Sequence, residues 1–271
     1  MPSSNPAFRG FGAAPGGQQQ YAGWGQPQPQ YGAPTQHDPY AAPAPYSATT
    51  TRYLTMDDVV TKTGITFLVT VLSAAAIWAL PGQAAWGLAL PAVFVGLVLG
   101  LVIAFKQIAN PAATLAYAVV EGIFLGAISE AFNSIPQFEG IVTQAVIGTF
   151  GVFAGMLVVY KTGAIRVTPK LTRWVIGALV GVVVLMLANI VASFFTPGGL
   201  GLRDGGTLAI VFSLVVIGVA AFSLLLDFDM ADEAIRRGAP AKFAWYIAFG
   251  LLVTVVWLYL EILRLLSYFR E

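Results

Sequence analysis

The chain has no cysteine, a single histidine and few charges: of its 271 residues, 10% are Asp, Glu, Lys or Arg, against about 25% in an ordinary soluble domain. Without Cys there are no disulfides, no thiolate nucleophile, no iron–sulfur ligation and no Cys-based zinc site. The one histidine, His37, lies in a Pro/Gln/Gly-rich stretch, so neither a Ser–His nucleophile nor a His-ligated metal site is open to the rest of the chain. Thirteen acids against fourteen Lys plus Arg leave a net charge of +1, too little for a field that gathers nucleic acid or an acidic substrate. No Gly-x-Gly-Asp motif of an intramembrane aspartyl protease occurs, and the last apolar run holds no lysine to carry retinal. An enzyme is therefore not expected, nor any cofactor.

What the chain has in abundance is apolar surface, 57% of all residues. That surface is unevenly placed. Residues 1–50 carry nine of the sixteen prolines, seven Gly and seven Gln, with Tyr21, Tyr31, Tyr40 and Tyr46 spaced through them and only Arg9 and Asp38 charged. Such a composition cannot build a core, and residues 1–52 are expected to be a disordered Pro/Gly/Gln/Tyr-rich cytoplasmic tail, either a solvated arm or a docking arm for a partner domain. No short apolar stretch follows a basic start, so the first membrane helix is expected to serve as its own uncleaved signal.

Residues 53–271 read as a seven-helix membrane domain. Apolar runs fall at about 64–80, 84–105, 112–132, 141–160, 174–195, 207–226 and 243–263, each near the ~20 residues that cross 30 Å of hydrocarbon at 1.5 Å per residue. Turn chemistry separates them at Pro81-Gly82, Asn110-Pro111, Ile135-Pro136, Thr168-Pro169, Pro197-Gly198-Gly199 and Gly238-Ala239-Pro240. The runs are too long and too uniformly apolar for barrel strands, which alternate over about ten residues. The fold class is thus all-α, a polytopic bundle in the lipid bilayer.

The basic residues orient it. Arg52, Lys62, Lys106, Lys161, Arg166, Lys170, Arg173, Arg236, Arg237 and Lys242 fall on one side, and Arg203, Arg264 and Arg270 on the other, a ten-to-three bias. Positive residues collect in the cytoplasm, which puts the N-terminus inside and the C-terminus outside the cell membrane. The pairs Gly96/Gly100, Gly122/Gly126, Gly151/Gly155 and Gly177/Gly181 are small-xxx-small spacings that let helices approach closely in a compact bundle with little room for a wide aqueous pore.

A short set of ionisable groups remains. Glu121 sits near mid-helix, where an ionised acid costs about 2.5 to 3.5 kcal/mol on insertion scales. Thr114, Tyr117, Glu121 and Ser129 share one helical stripe, so this face either turns to a polar cavity or bonds a neighbouring helix. Asp229, Asp232, Glu233, Arg236 and Arg237 follow three- and four-residue steps, as an exposed helix extension laced with ion pairs would. Asp227 lies about 200° round the helix from Asp229 and follows three leucines, so it is expected to face the bundle mouth, with Lys106 as a possible basic partner. Glu261 and Arg264, at i and i+3, read as an interfacial pair with a snorkelling Arg. In a straight last helix Glu261 lies about 27 Å along the axis from Phe243, near the face opposite Asp227.

The segments AYAVVEGIFLGAISEAF at 116–132, TQAVIGTFGVFAGMLVVYKTGAIRVTPK at 143–170 and WLYLEILRLL at 257–266 resemble the Bax inhibitor-1/YccA family. The SNPAF start at Ser4 and TMDDVVTKT at Thr55 resemble its actinobacterial branch. The likeness covers most of residues 53–271 and not the tail after SNPAF. It implies two helix triplets wrapped round a central last helix. Relatives act as pH-sensitive calcium leaks, and one bacterial member modulates the membrane protease FtsH. The family's pH-sensing acid pair maps onto Asp227 and Glu261, although Glu stands for the usual Asp and the separation of thirty-four positions exceeds the family's. A basic latch on the second helix corresponds to Lys106, and Glu121 matches the family's Glu-Gly in the third.

Two functions follow as expectations. The first is a pH-sensitive cation leak gated by membrane-embedded carboxylates, with Glu121 and Asp227 as candidate Ca²⁺ or proton sites, since hard oxygen ligands suit Ca²⁺. The second is a non-conducting regulator that binds a membrane protease or another membrane protein.

Overall fold

The computed structural model describes residues 52–80 and 82–270. The expectations for His37 and for the tail through residue 51 lie outside the described residues. Among those described there are seven long helices and no strand: α1 (Met56–Trp78), α2 (Gly82–Lys106), α3 (Pro111–Asn133), α4 (Ile141–Thr162), α5 (Pro169–Ser193), α6 (Thr207–Arg236) and α7 (Ala244–Tyr268). All seven are long and apolar enough to span a bilayer. Even α4, the shortest at 22 residues, reaches about 33 Å at 1.5 Å per residue.

The helix ends follow from local chemistry. Thr55 opens α1 with a capping box: its hydroxyl accepts from the Asp58 amide at 3.3 Å while the Asp58 carboxylate accepts from the Thr55 amide at 3.4 Å, satisfying two otherwise orphaned donors. Asn110 and Thr168 cap α3 and α5 in the same sense, each followed by Pro at the first helical position. Gly163 closes α4 at φ 68°, a left-handed conformation that glycine adopts without a Cβ penalty. The capping box explains why α1 begins at Met56 rather than at the first fully apolar residue. In α6 the acid- and arginine-bearing segment simply continues the helix to Arg236.

The last helix is the core. It packs against α1, α3, α4 and α6, while α2 leans on α3 and α5 on α6. Leu224, Ile247, Leu258 and Leu263 are among its fully buried side chains or those it covers. Two of the small-residue pairs act as expected. A Cβ on Gly122 would lie 2.5 Å from the Thr70 carbonyl oxygen, and one on Gly126 would collide with that of Ala74, so α3 accepts the α1 backbone at close range. On α2, Gly96 and Gly100 face Glu121 and Tyr117 of α3. The other two pairs differ from expectation: Gly151, Gly155, Gly177 and Gly181 face open space among the described residues, because α4 and α5 turn those faces away from the bundle.

One tether joins distant segments. Just before α1, the Leu54 amide donates to the Ala239 carbonyl and the Ala241 amide donates to the Arg52 carbonyl, each at 2.8 Å. Asp58, 6% exposed, anchors this strap through Arg52 at 3.1 Å and Lys62 at 3.0 Å, and Lys62 also donates to the Ala241 carbonyl at 3.2 Å. The link between α6 and α7 is thereby tied to the start of α1.

Candidate functional site

A cavity of about 590 Å³ lies between α2, α3, α6 and α7. Glu121 and Asp227 both line it, one from α3 and one from α6, together with Tyr117 and Thr254. No Lys, Arg or His is among its described lining residues. Two acids thus share a mid-membrane space without a fixed counter-charge. Leu97 and Leu101 of α2 and Val253 of α7 line it and are exposed on the outer side of the bundle, well inside the spans of both helices, so the cavity reaches the surface that a bilayer's hydrocarbon would cover.

Each acid owes its place to its neighbours. Glu121 is the eleventh of the 23 residues of α3, and its Oε1 would be only 3.1 Å from a Cβ on Gly96. A glycine in α2 is what admits the carboxylate. The rest of its stripe turns to α7, as the spacing implied: the Thr114 hydroxyl donates to the Trp245 carbonyl at 3.0 Å, Tyr117 meets Phe249 edge-on at 4.9 Å, and Ser129 shares a 2.6 Å hydrogen bond with Tyr259.

Asp227 sits deeper than the expected bundle mouth. It precedes the end of α6 by nine residues, about 14 Å of helix, because α6 continues to Arg236. The Thr254 hydroxyl of α7 donates to its Oδ2 at 2.6 Å and also approaches the Gly250 carbonyl at 3.3 Å. Lys106, the candidate latch, is exposed at the end of α2 and forms no ion pair among the described residues.

Glu261 is not brought to Asp227. It lies seven residues beyond Thr254 on an unbroken α7, about 10 Å farther along the axis. It is 1% exposed and held at once by Arg203 and Arg264, both at 2.9 Å, and by the Ser213 hydroxyl at 2.7 Å. The pair with Arg264 is present, but Arg203 reaches in from the α5–α6 loop and stacks over Phe212 at 5.4 Å. A buried carboxylate needs such partners.

The exposed cluster on α6 matches its spacing. Arg236 pairs with Asp232 and Glu233 at 2.9 Å each, and Arg237 with Glu233 at 2.6 Å. Asp229 is half-buried.

Thr254 and Arg203 escaped the sequence reading. A lone Thr in an apolar run carries no signal for its partner twenty-seven residues earlier. Arg203 stood out only as one of three basic residues on the sparse side.

A seven-helix bundle with intramembrane acids around a central last helix defines a class of polytopic membrane protein. The chain belongs to the Bax inhibitor 1 like family, whose model matches residues 5–271. The match takes in the N-terminal segment that the resemblance read from motifs had left out. No curated protein matches the chain.

Proposed function

We propose that the protein is a pH-sensitive cation leak of the cell membrane, with Ca²⁺ as permeant ion and Glu121 and Asp227 as the acids that draw it in. The observation that carries this reading is their shared cavity, free of basic side chains among the described residues. An ionised acid at this depth is costly unless a cation or proton compensates it. Two carboxylates with the Tyr117 and Thr254 hydroxyls offer hard oxygen donors but fewer than the six to eight of a resident Ca²⁺ site. That suits passage with retained water rather than tight binding.

The titratable groups lining the cavity are Asp227, Glu121 and Tyr117. In this reading Asp227 is the sensor. The Thr254 hydroxyl has one proton and two acceptors in reach, Asp227 and the Gly250 carbonyl. Ionised Asp227 accepts the hydrogen bond from the Thr254 hydroxyl; protonated Asp227 donates to the Thr254 oxygen instead, and the hydroxyl then donates to the Gly250 carbonyl. Each protonation state has its own hydrogen-bond arrangement across the α6–α7 contact, and packings a few kcal/mol apart are enough for a switch. Glu261, engaged by two arginines, takes no part in sensing. The bundle stands with its N-terminus in the cytoplasm and its C-terminus outside. Flux of Ca²⁺ from liposomes holding purified protein, measured against pH, tests the reading.

A second reading, a non-conducting regulator of a membrane protease or other membrane protein, is favoured by the outer face of α5. There Gly177 and Gly181 meet open space, a surface on which another helix fits closely.

A further inference from the structure

The walls of the cavity carry a second message. Around the two acids stand Tyr117, Phe124, Phe249 and Trp257. A hydrated metal ion gains little from such walls, whereas an organic cation uses both parts of them: its charge against the carboxylates, its apolar body and charge against the rings. The volume, about 590 Å³, falls within the roughly 300–1,000 Å³ of drug-sized ligand sites, which are likewise apolar with a few placed polar groups. Access agrees. The exposed Leu97, Leu101 and Val253 bring the cavity to the surface that hydrocarbon would cover, so a solute that partitions into the bilayer enters directly. Depth excludes a lipid headgroup as the source of charge: Glu121 is at mid-helix, about 15 Å from either surface of a 30 Å core.

We infer that this cavity is a binding site for an amphiphilic organic cation, a delocalised or quaternary charge on an apolar body, held between Glu121 and Asp227 and admitted sideways between α2 and α7. The site does not depend on conduction. An occupant stands where the proposed cation path runs and would block it, but binding is measurable without any flux.

The probe is radiolabelled tetraphenylphosphonium, in equilibrium dialysis against the detergent-purified full chain. Tetraphenylborate, of the same shape and opposite charge, is the control. The cation is expected to bind in a single saturable class and the anion not to bind. Replacing both acids with their amides, Glu121→Gln with Asp227→Asn, should weaken the cation by at least about tenfold, ~1.4 kcal/mol, in protein that still elutes as a single folded species. Val253→Trp, which fills that exposed side and leaves both acids, should weaken it as well. Equal binding of the two ions, or unchanged affinity in the double amide variant, would reduce the site to an apolar cleft and overturn the inference, as would the absence of saturable binding. Loss of calcium flux leaves these results untouched, and failure of binding leaves the leak standing, so the two readings fail separately.

Discussion

Arg203, on the loop between α5 and α6, donates through one guanidinium nitrogen to both carboxylate oxygens of Glu261, at 2.9 and 3.1 Å. This bond ties the loop to the central helix and uses the acid that the family pattern assigns to sensing. Removing one partner of a buried pair leaves the other uncompensated, so Glu261→Gln is expected to lower stability by about 3 kcal/mol, seen as a lower Tm of the purified protein. The pH midpoint of flux should not move. An unchanged Tm would mean that the cluster contributes nothing, and a shifted midpoint would return Glu261 to the sensor.

The glycines separate packing from open faces. At Gly122 a methyl meets the Thr70 carbonyl at 2.5 Å, and Gly122→Ala should cost about 1–3 kcal/mol through overpacking. Gly181→Ala meets nothing within 4 Å and should stay within about 1 kcal/mol of wild type, on the stabilising side, because Ala favours the helix. Thermal unfolding of the two variants side by side decides it. The reverse order would mean that α1 and α3 do not meet as described.

The strap predicts a local effect. Asp58→Ala removes the carboxylate half of the capping box and both ion pairs at once, and the amides of Leu54 and Ala241 should then exchange with deuterium faster. Exchange in the middle of α7 should hold. Uniform acceleration along the chain would show that Asp58 supports the whole bundle instead.

Much of this architecture is legible in the sequence because bilayer thickness imposes it. Seven apolar runs of spanning length are visible without tertiary knowledge, and the spacing of Thr114, Tyr117, Glu121 and Ser129 alone indicates an inward face. The long-range partners were hidden. Nothing near Asp227 announces Thr254, and nothing near Glu261 announces Arg203, because those contacts depend on how far α6 and α7 slide past one another. The charged segment after Asp227 is legible as a helix extension from the three- and four-residue steps of Asp229, Asp232, Glu233, Arg236 and Arg237, but the depth of Asp227 is not, because it is set by Thr254, the eleventh of the 25 residues of α7.

Orientation has its own check. With ten basic residues at the end where α2, α4 and α6 finish and three at the other, a reporter in the 161–173 loop should be cytoplasmic and one after Glu271 external. The same compartment for both would require a helix that fails to cross.

In the proposed function Asp227 senses protons for a cation leak. Calcium flux from proteoliposomes between about pH 5 and 8, the range in which a modestly perturbed acid titrates, tests it most directly, with wild type, Asp227→Asn, Asp232→Asn and Glu121→Gln compared. A pH-dependent flux is expected in wild type, a flattened profile in Asp227→Asn, a nearly intact one in Asp232→Asn, and altered permeation at every pH in Glu121→Gln. No flux from wild type at any pH in that range would contradict the leak, and superimposable curves for wild type and Asp227→Asn would remove Asp227 as its sensor.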